Sequence, residues 1–149
     1  MTAAERRGPE RIVVGVDGSP SSGAALRWAV RQADLTGAHV HAVIAWSIPV
    51  TYGPMPVPQL WTDWSGIARS TLEESLRATL GDRAGDVKAE VVEGGAALVL
   101  LEAARDADLV VVGSRGHGGF VGLLLGSVAQ HVTTHARCPV VVVHDREES

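Results

Sequence analysis

Short apolar runs rich in β-branched residues recur along this chain, separated by segments with helical spacing. That alternation constrains the fold more than any other feature. The runs are "RIVVGVDGS" from Arg11, "HVHAVIAW" from His39, "DVKAEVVEG" from Asp86, "DLVVVG" from Asp108 and "PVVVVH" from Pro139. Valine and isoleucine favour extended backbone, and near-continuous apolar strands belong to sheets covered on both faces. Helical segments fall between them. Ser19 is a good N-cap, Pro20 suits the first helical position, and Gly37 stops the helix after Thr36. Within it Leu26, Ala29, Val30 and Ala33 share an apolar face, while Arg27, Arg31 and Asp34 share a solvated one. A second helix is expected over Ile67–Leu80, with Leu72, Leu76 and Leu80 in register. A third is expected over Ala96–Ala107, with Leu98, Leu101, Ala104 and Arg105 along its length. A fourth is expected from Ser127 to about Ala136. The order β-α-β-α-β-α-β-α-β predicts an α/β fold with a parallel sheet, helices on both faces and right-handed crossovers.

Residues 47–66 interrupt this rhythm with four prolines and two tryptophans. Such a stretch suits neither a regular helix nor a central strand. It is expected to be an ordered flap or a mobile linker. Residues 1–10 are expected to be a disordered tail and 146–149 a charged C-terminal tail, leaving 11–145 as one domain.

Composition narrows the function. Net charge is −4 without a basic block, which argues against nucleic acid as the main partner. No apolar run reaches the roughly 18 residues of a membrane span. The first residues lack the apolar middle of a signal peptide, so the expected location is cytoplasmic. Cys138 is the single cysteine, which excludes an internal disulfide, and it reads as a small buried thiol beside Pro139. His39 and His41 read as residues opening a strand. His131 and His135, four apart, read as an exposed helical pair, since two ligands do not complete a metal site.

The stretch "GSRGHGGFVGLLLGS", Gly113 to Ser127, carries six glycines between a strand and a helix. Glycine permits close backbone approach and unusual φ angles, and a helix N-terminus offers unsatisfied N–H groups to an anion. Glycine count alone fits a phosphate cradle and a flexible connection equally. A Walker loop needs Gly-Lys-Ser/Thr, yet here Gly126-Ser127 has no lysine and the lone Lys88 lies far away. The first strand's turn, "GVDGSPSSG", lacks the Rossmann GxGxxG spacing. There is no G-x-S-x-G elbow either. No residue near the loop stands out as a general base.

The spacing Gly113-x2-Gly116-x9-Gly126-Ser127 resembles the nucleotide-binding pattern of the universal stress protein family. "IVVGVDGS" resembles that family's first strand, and "DADLVVVGSRGHGG" and "LLLGSVAQHVTTHARCPVVVV" resemble its fourth strand through its last. The resemblance implies a single-domain three-layer α/β/α fold with five parallel strands in the order 3-2-1-4-5. It implies that Gly15 and Ala45 line a base pocket, that Asp17 accepts hydrogen bonds from adenosine, and that Val112 and Gly113 lie under the nucleoside. Arg115, Gly116, Gly126, Ser127 and Val128 would hold phosphates, while His117 reads as a solvent-facing loop residue. It further implies ATP as ligand with Mg²⁺ on the phosphates, a homodimer paired through Val140–Val143, and a regulatory role toward a protein partner. A slow ATPase and a module for AMP or cyclic AMP are the alternatives.

Overall fold

Parallel strands need long connections, and the chain supplies one helix for each. The computed structural model describes residues 10–48, 62–116 and 125–145. Its strands are β1 (Arg11–Gly15), β2 (His39–Trp46), β3 (Lys88–Glu93), β4 (Leu109–Gly113) and β5 (Val140–Val143). Its helices are α1 (Pro20–Thr36), α2 (Trp64–Leu80), α3 (Ala96–Ala103) and α4 (Ser127–His135). Short 3₁₀ turns prolong α2 over Gly81–Asp86 and α3 over Ala104–Asp106. The sheet order is β3-β2-β1-β4-β5, every pair parallel. This is the α/β architecture expected from the sequence.

Side chains alternate across the sheet and so build two cores. Ile12, Val14 and Ile44 pack under α1 and α2. Val13, Val43 and Val110 pack under α3 and α4. Val13, Val14, Val110 and Val111 have no solvent exposure, and burial of each such side chain contributes about 1.5–3 kcal/mol. The central strands β1 and β4 therefore anchor both layers.

Local signals explain most boundaries. The Ser19 hydroxyl accepts from Ser22 N–H at 3.2 Å, and Gly37, at φ 78°, donates its N–H to the Ala33 carbonyl. Helix α2 starts earlier than expected, because the Asp63 carboxylate caps it by accepting from Gly66 N–H at 2.9 Å. Trp64–Gly66 are thus helical, although they belong to the stretch expected to break regular structure. The four prolines of that stretch all lie within residues 49–61, outside the described residues. In α3 the buried side chains are Val99 and Leu100, with Ala104 just beyond, whereas Leu98 is 67% exposed. Cys138 is half-buried, not enclosed, and burial still pushes its thiol pKa up. His131 and His135 are exposed, with ring centroids 4.6 Å apart. The tails at 1–9 and 146–149 lie outside the described residues.

His41 differs from the expectation of a residue merely opening a strand. It is 4% exposed and sits between neighbouring strands. Arg11 Nη2 lies 2.6 Å from its Nδ1, so Nδ1 accepts and the ring proton sits on Nε2. Nε2 lies 2.7 Å from Glu90 Oε2 without good hydrogen-bond geometry. Burial holds the His41 pKa below its ordinary 6.5, helped by Arg11 and Lys88 and opposed by Glu90. Glu102 and Asp106 face the same groove from α3 and its 3₁₀ extension. A lowered folded-state pKa means that the unfolded chain takes up the proton first as pH falls. The stabilisation is full above about pH 6.5 and is lost below it, by at most about 1.4 kcal/mol per pH unit. Urea unfolding should therefore show a larger loss between about pH 7.5 and about pH 5.5 for the native chain than for His41→Gln. Equal losses would remove His41 as the cause.

Candidate functional site

An open sheet whose helices leave in opposite directions must leave a gap where the direction changes. Here that point lies between β1 and β4, since β1 continues toward β2 and β4 toward β5. Beyond their C-terminal ends is a cavity of about 250 Å³. Gly15, Val112 and Gly113 line it from the strand ends, and Ala45 lines it from β2. Asp17 comes from the β1–α1 turn, Arg115 and Gly116 from the segment after β4, and Gly126, Ser127 and Val128 from the start of α4. All ten residues singled out from the sequence thus surround one cavity. His117, Gly118, Gly119 and Gly122 lie outside the described residues.

The carboxylate of Asp17 is held by its own turn. Its Oδ1 accepts from Ser19 N–H at 2.8 Å, and Gly18, at φ 83°, supplies the left-handed backbone that this turn requires. Asp17 N–H donates to Ser22 Oγ at 3.3 Å. The second oxygen, Oδ2, faces Gly116, where a Cβ would come within 2.8 Å of it. The donor side is α4. Gly126 precedes its first residue with no side-chain cap, so the first-turn N–H groups face the cavity mouth with the positive end of the helix dipole. Gly126 N–H itself donates to the Ser114 carbonyl at 2.6 Å, which joins the two ends of the loop.

Glycine serves space here rather than unusual dihedrals. Gly113, Gly116 and Gly126 all lack positive φ. At Gly113 a Cβ would meet Ser21 Oγ at 2.5 Å and the Ser21 backbone at 2.7 Å. That contact seats the first turn of α1 directly on the end of β4. Ser21 Oγ then accepts from Arg115 N–H at 3.3 Å and donates to the Val143 carbonyl at 3.5 Å.

Sequence reasoning missed Val16, Ser22, Val43, Ala96, Val99, Leu100 and Ala129 among the lining residues. Along α3 the sequence pattern singles out Leu98, Leu101 and Ala104, of which Ala104 is buried, whereas Val99 and Leu100 are the side chains that turn inward. The Gly94-Gly95 pair before Ala96 was the available signal, since it brings the start of α3 to the strand ends. Asp17 and Arg115 are the charged residues among the described lining. The cavity therefore combines an apolar slot of Val43, Ala45, Val99, Leu100 and Val112 with a fixed carboxylate and a set of backbone donors. Such a lining suits a ligand with a flat apolar face, hydroxyls and an anionic end.

Fold and cleft together define a doubly wound α/β protein with an open cavity at its switch point. The model of the universal stress protein family matches residues 9–144, and the chain belongs to that family. Universal stress protein Rv2623 of Mycobacterium tuberculosis (strain ATCC 25618 / H37Rv) is 37% identical over 142 residues, covering 91% of this chain and 48% of that protein. The chain spans about half the length of the curated relatives it matches. Among solved structures, universal stress protein UspA from Lactobacillus plantarum aligns with a TM-score of 0.75 at 24% identity, covering 92% of this chain and 99% of that one. A universal stress protein in complex with cAMP aligns with a TM-score of 0.66 at 29% identity, covering 94% and 100%.

The glycine geometry separates structural from local effects. Gly113→Ala should cost about 1–3 kcal/mol in urea unfolding, because the added methyl meets backbone. Gly126→Ala, whose Cβ would find its nearest atoms at 3.4 Å, should cost less than about 1 kcal/mol. Equal costs would remove the steric account of Gly113.

Proposed function

We propose that this chain is a cytoplasmic, adenine-nucleotide-binding regulatory protein, with ATP as its ligand. The observation that carries the reading is the meeting of apolar slot, Asp17 carboxylate and the glycine-led α4 N-terminus in one cavity. In this reading Gly15, Val43, Ala45 and Val99 enclose the base, and Asp17 accepts from the ribose hydroxyls. Val112 and Gly113 lie beneath the nucleoside. The N–H groups of Gly116, Ser127 and Val128, the Ser127 hydroxyl and the Arg115 guanidinium receive the phosphates, and Gly126, whose own N–H is held by Ser114, leaves the space for them. Mg²⁺ would enter on phosphate oxygens and water. The similar structure solved with cAMP supports an adenine nucleotide and favours cAMP as the second reading.

Asp17 already accepts from Ser19 N–H, which suits a ligand contact better than proton transfer. The role proposed is therefore binding that is read by a protein partner, and phosphate release followed over hours distinguishes it from slow hydrolysis. Calorimetric titration with ATP, AMP and cAMP ranks the ligands. Asp17→Asn keeps the acceptor for Ser19 N–H but removes the charge, and should weaken binding about tenfold. Ser127→Ala should weaken ATP more than AMP. No measurable binding of any of the three nucleotides would sink the reading.

The β5 edge supports a homodimer. Val140–Val143 pair with β4 on one side, and among the described residues nothing pairs with the other. Two-fold antiparallel pairing of this edge with a second copy would cover it. Val142→Lys should convert a dimer to a monomer in light scattering while circular dichroism stays native. A persistent dimer would place the interface elsewhere.

A further inference from the structure

On the sheet face that carries α3, a second groove runs between that helix and the outer strands β2 and β3. Its floor is Val43, Val92 and Val99, and Leu98 stands exposed at its rim. Glu90, Glu93, Glu102 and Asp106 line it, against the single guanidinium of Arg11. Arg11 is already bonded to His41, which burial keeps neutral. Among the described residues Glu102 has a long contact with Arg105, 3.4 Å between exposed side chains, and such pairs hold weakly. Lys88, at the start of β3, is near enough to act on His41 but does not line the groove. Four carboxylates against one guanidinium leave the surface around the apolar floor with a net negative sign, and such surfaces select partners of the opposite sign. β3 is also the last strand of the sheet, paired only with β2 among the described residues.

The groove and the cleft share two walls. Val43 and Val99 line both. Gly94 leaves the space that Val99 fills, since a Cβ there would lie 3.0 Å from Val99 Cγ2, and α3 begins two residues later without a side-chain cap. A ligand packed on Val99 in the cleft therefore presses on the floor of the groove.

We propose that this groove docks an extended segment of a partner protein in which arginine or lysine alternates with apolar residues. Apolar side chains enter over Val92 and Val99, and the cations pair with Glu90, Glu93, Glu102 and Asp106. Docking as such stands on the groove alone. Its modulation by nucleotide rests on the reading of the cleft given above.

The test uses the full chain and two synthetic peptides, one alternating arginine with valine and the other glutamate with valine. Backbone amide shifts are followed by NMR. The arginine peptide should move resonances in β3 and α3, and the glutamate peptide should not bind. Glu102→Gln combined with Asp106→Asn should weaken the arginine peptide by about tenfold, whereas Glu74→Gln on the opposite face should not. Unchanged affinity in the double variant, or shifts mapping away from β3 and α3, overturns the proposal. So does a free chain whose groove is already covered, either by residues 49–61 contacting Leu98 or by a second copy whose association Glu102→Arg abolishes. Saturating AMP should change peptide affinity at least about threefold. If AMP binds and the affinity stays constant, the coupling fails. If none of ATP, AMP and cAMP binds while the peptide does, the cleft reading fails and the docking surface stands.

Discussion

The parallel pairing of β1 with β4 is the contact on which the remaining structure depends. It sets Ile12 beside Leu109, Val13 beside Val110 and Val14 beside Val111. Its lower end is closed by Arg11 and Asp108. Arg11 N–H donates to the Asp108 carboxylate at 2.9 Å, and Asp108 N–H donates to the Arg11 carbonyl at 2.9 Å. These partners lie 97 positions apart, so the pair forms only when both halves of the chain are in place. Once formed, it gives each core its central strands. It also forces the two chain directions apart at the upper end. The cleft is a geometric consequence of that divergence, present before any ligand is considered.

Three serines convert the divergence into a defined site. Ser19, Ser21 and Ser22 are all buried, a costly place for a hydroxyl left unpaired. Ser22 Oγ donates to the Ser19 carbonyl at 3.1 Å and accepts from Asp17 N–H, while Ser19 Oγ caps the helix. Ser21 reaches the other way, toward Arg115 N–H and the Val143 carbonyl. The first turn of α1 thus ties together the turn carrying Asp17, the segment following β4 and the end of β5. The requirement for glycine at 113 follows from this seating, because the Ser21 backbone occupies the volume of a Cβ.

Much of this was legible in the sequence. β-branched runs identify all five strands, and Ser19, Pro20 and Gly37 bound α1 within a residue, because those signals act locally. The spacing of Gly113, Gly116, Gly126 and Ser127 names residues that the fold gathers around one cavity. What escaped depends on partners distant in the chain. Asp63 is an ordinary polar residue until Gly66 N–H turns toward it. Leu98 and Val99 both satisfy an apolar pattern, and only the placement of α3 over β1 and β2 decides that Val99 is buried and Leu98 exposed. His41 looks like any polar residue at a strand end until Arg11 and Glu90 flank it from the neighbouring strands. The sequence pattern allows glycine two roles, close backbone approach and unusual φ, and at Gly113, Gly116 and Gly126 the structure uses the first.

The position of α3 carries the last step. It is eight residues long and follows the Gly94-Gly95 pair, with no side chain capping its start. Leu100 reaches toward Gly15 in the cleft, where a Cβ would lie 2.8 Å from its Cδ1. Glu102 and Leu98 face the acidic groove on the helix's other flank. A helix this short gains little stability from its own hydrogen bonds and is held by packing. In a close-packed interior, a side chain displaced on one flank is felt by its neighbours on the other. The same few residues that complete the apolar slot therefore set the shape of the exposed surface beside it, without any need for a moving domain.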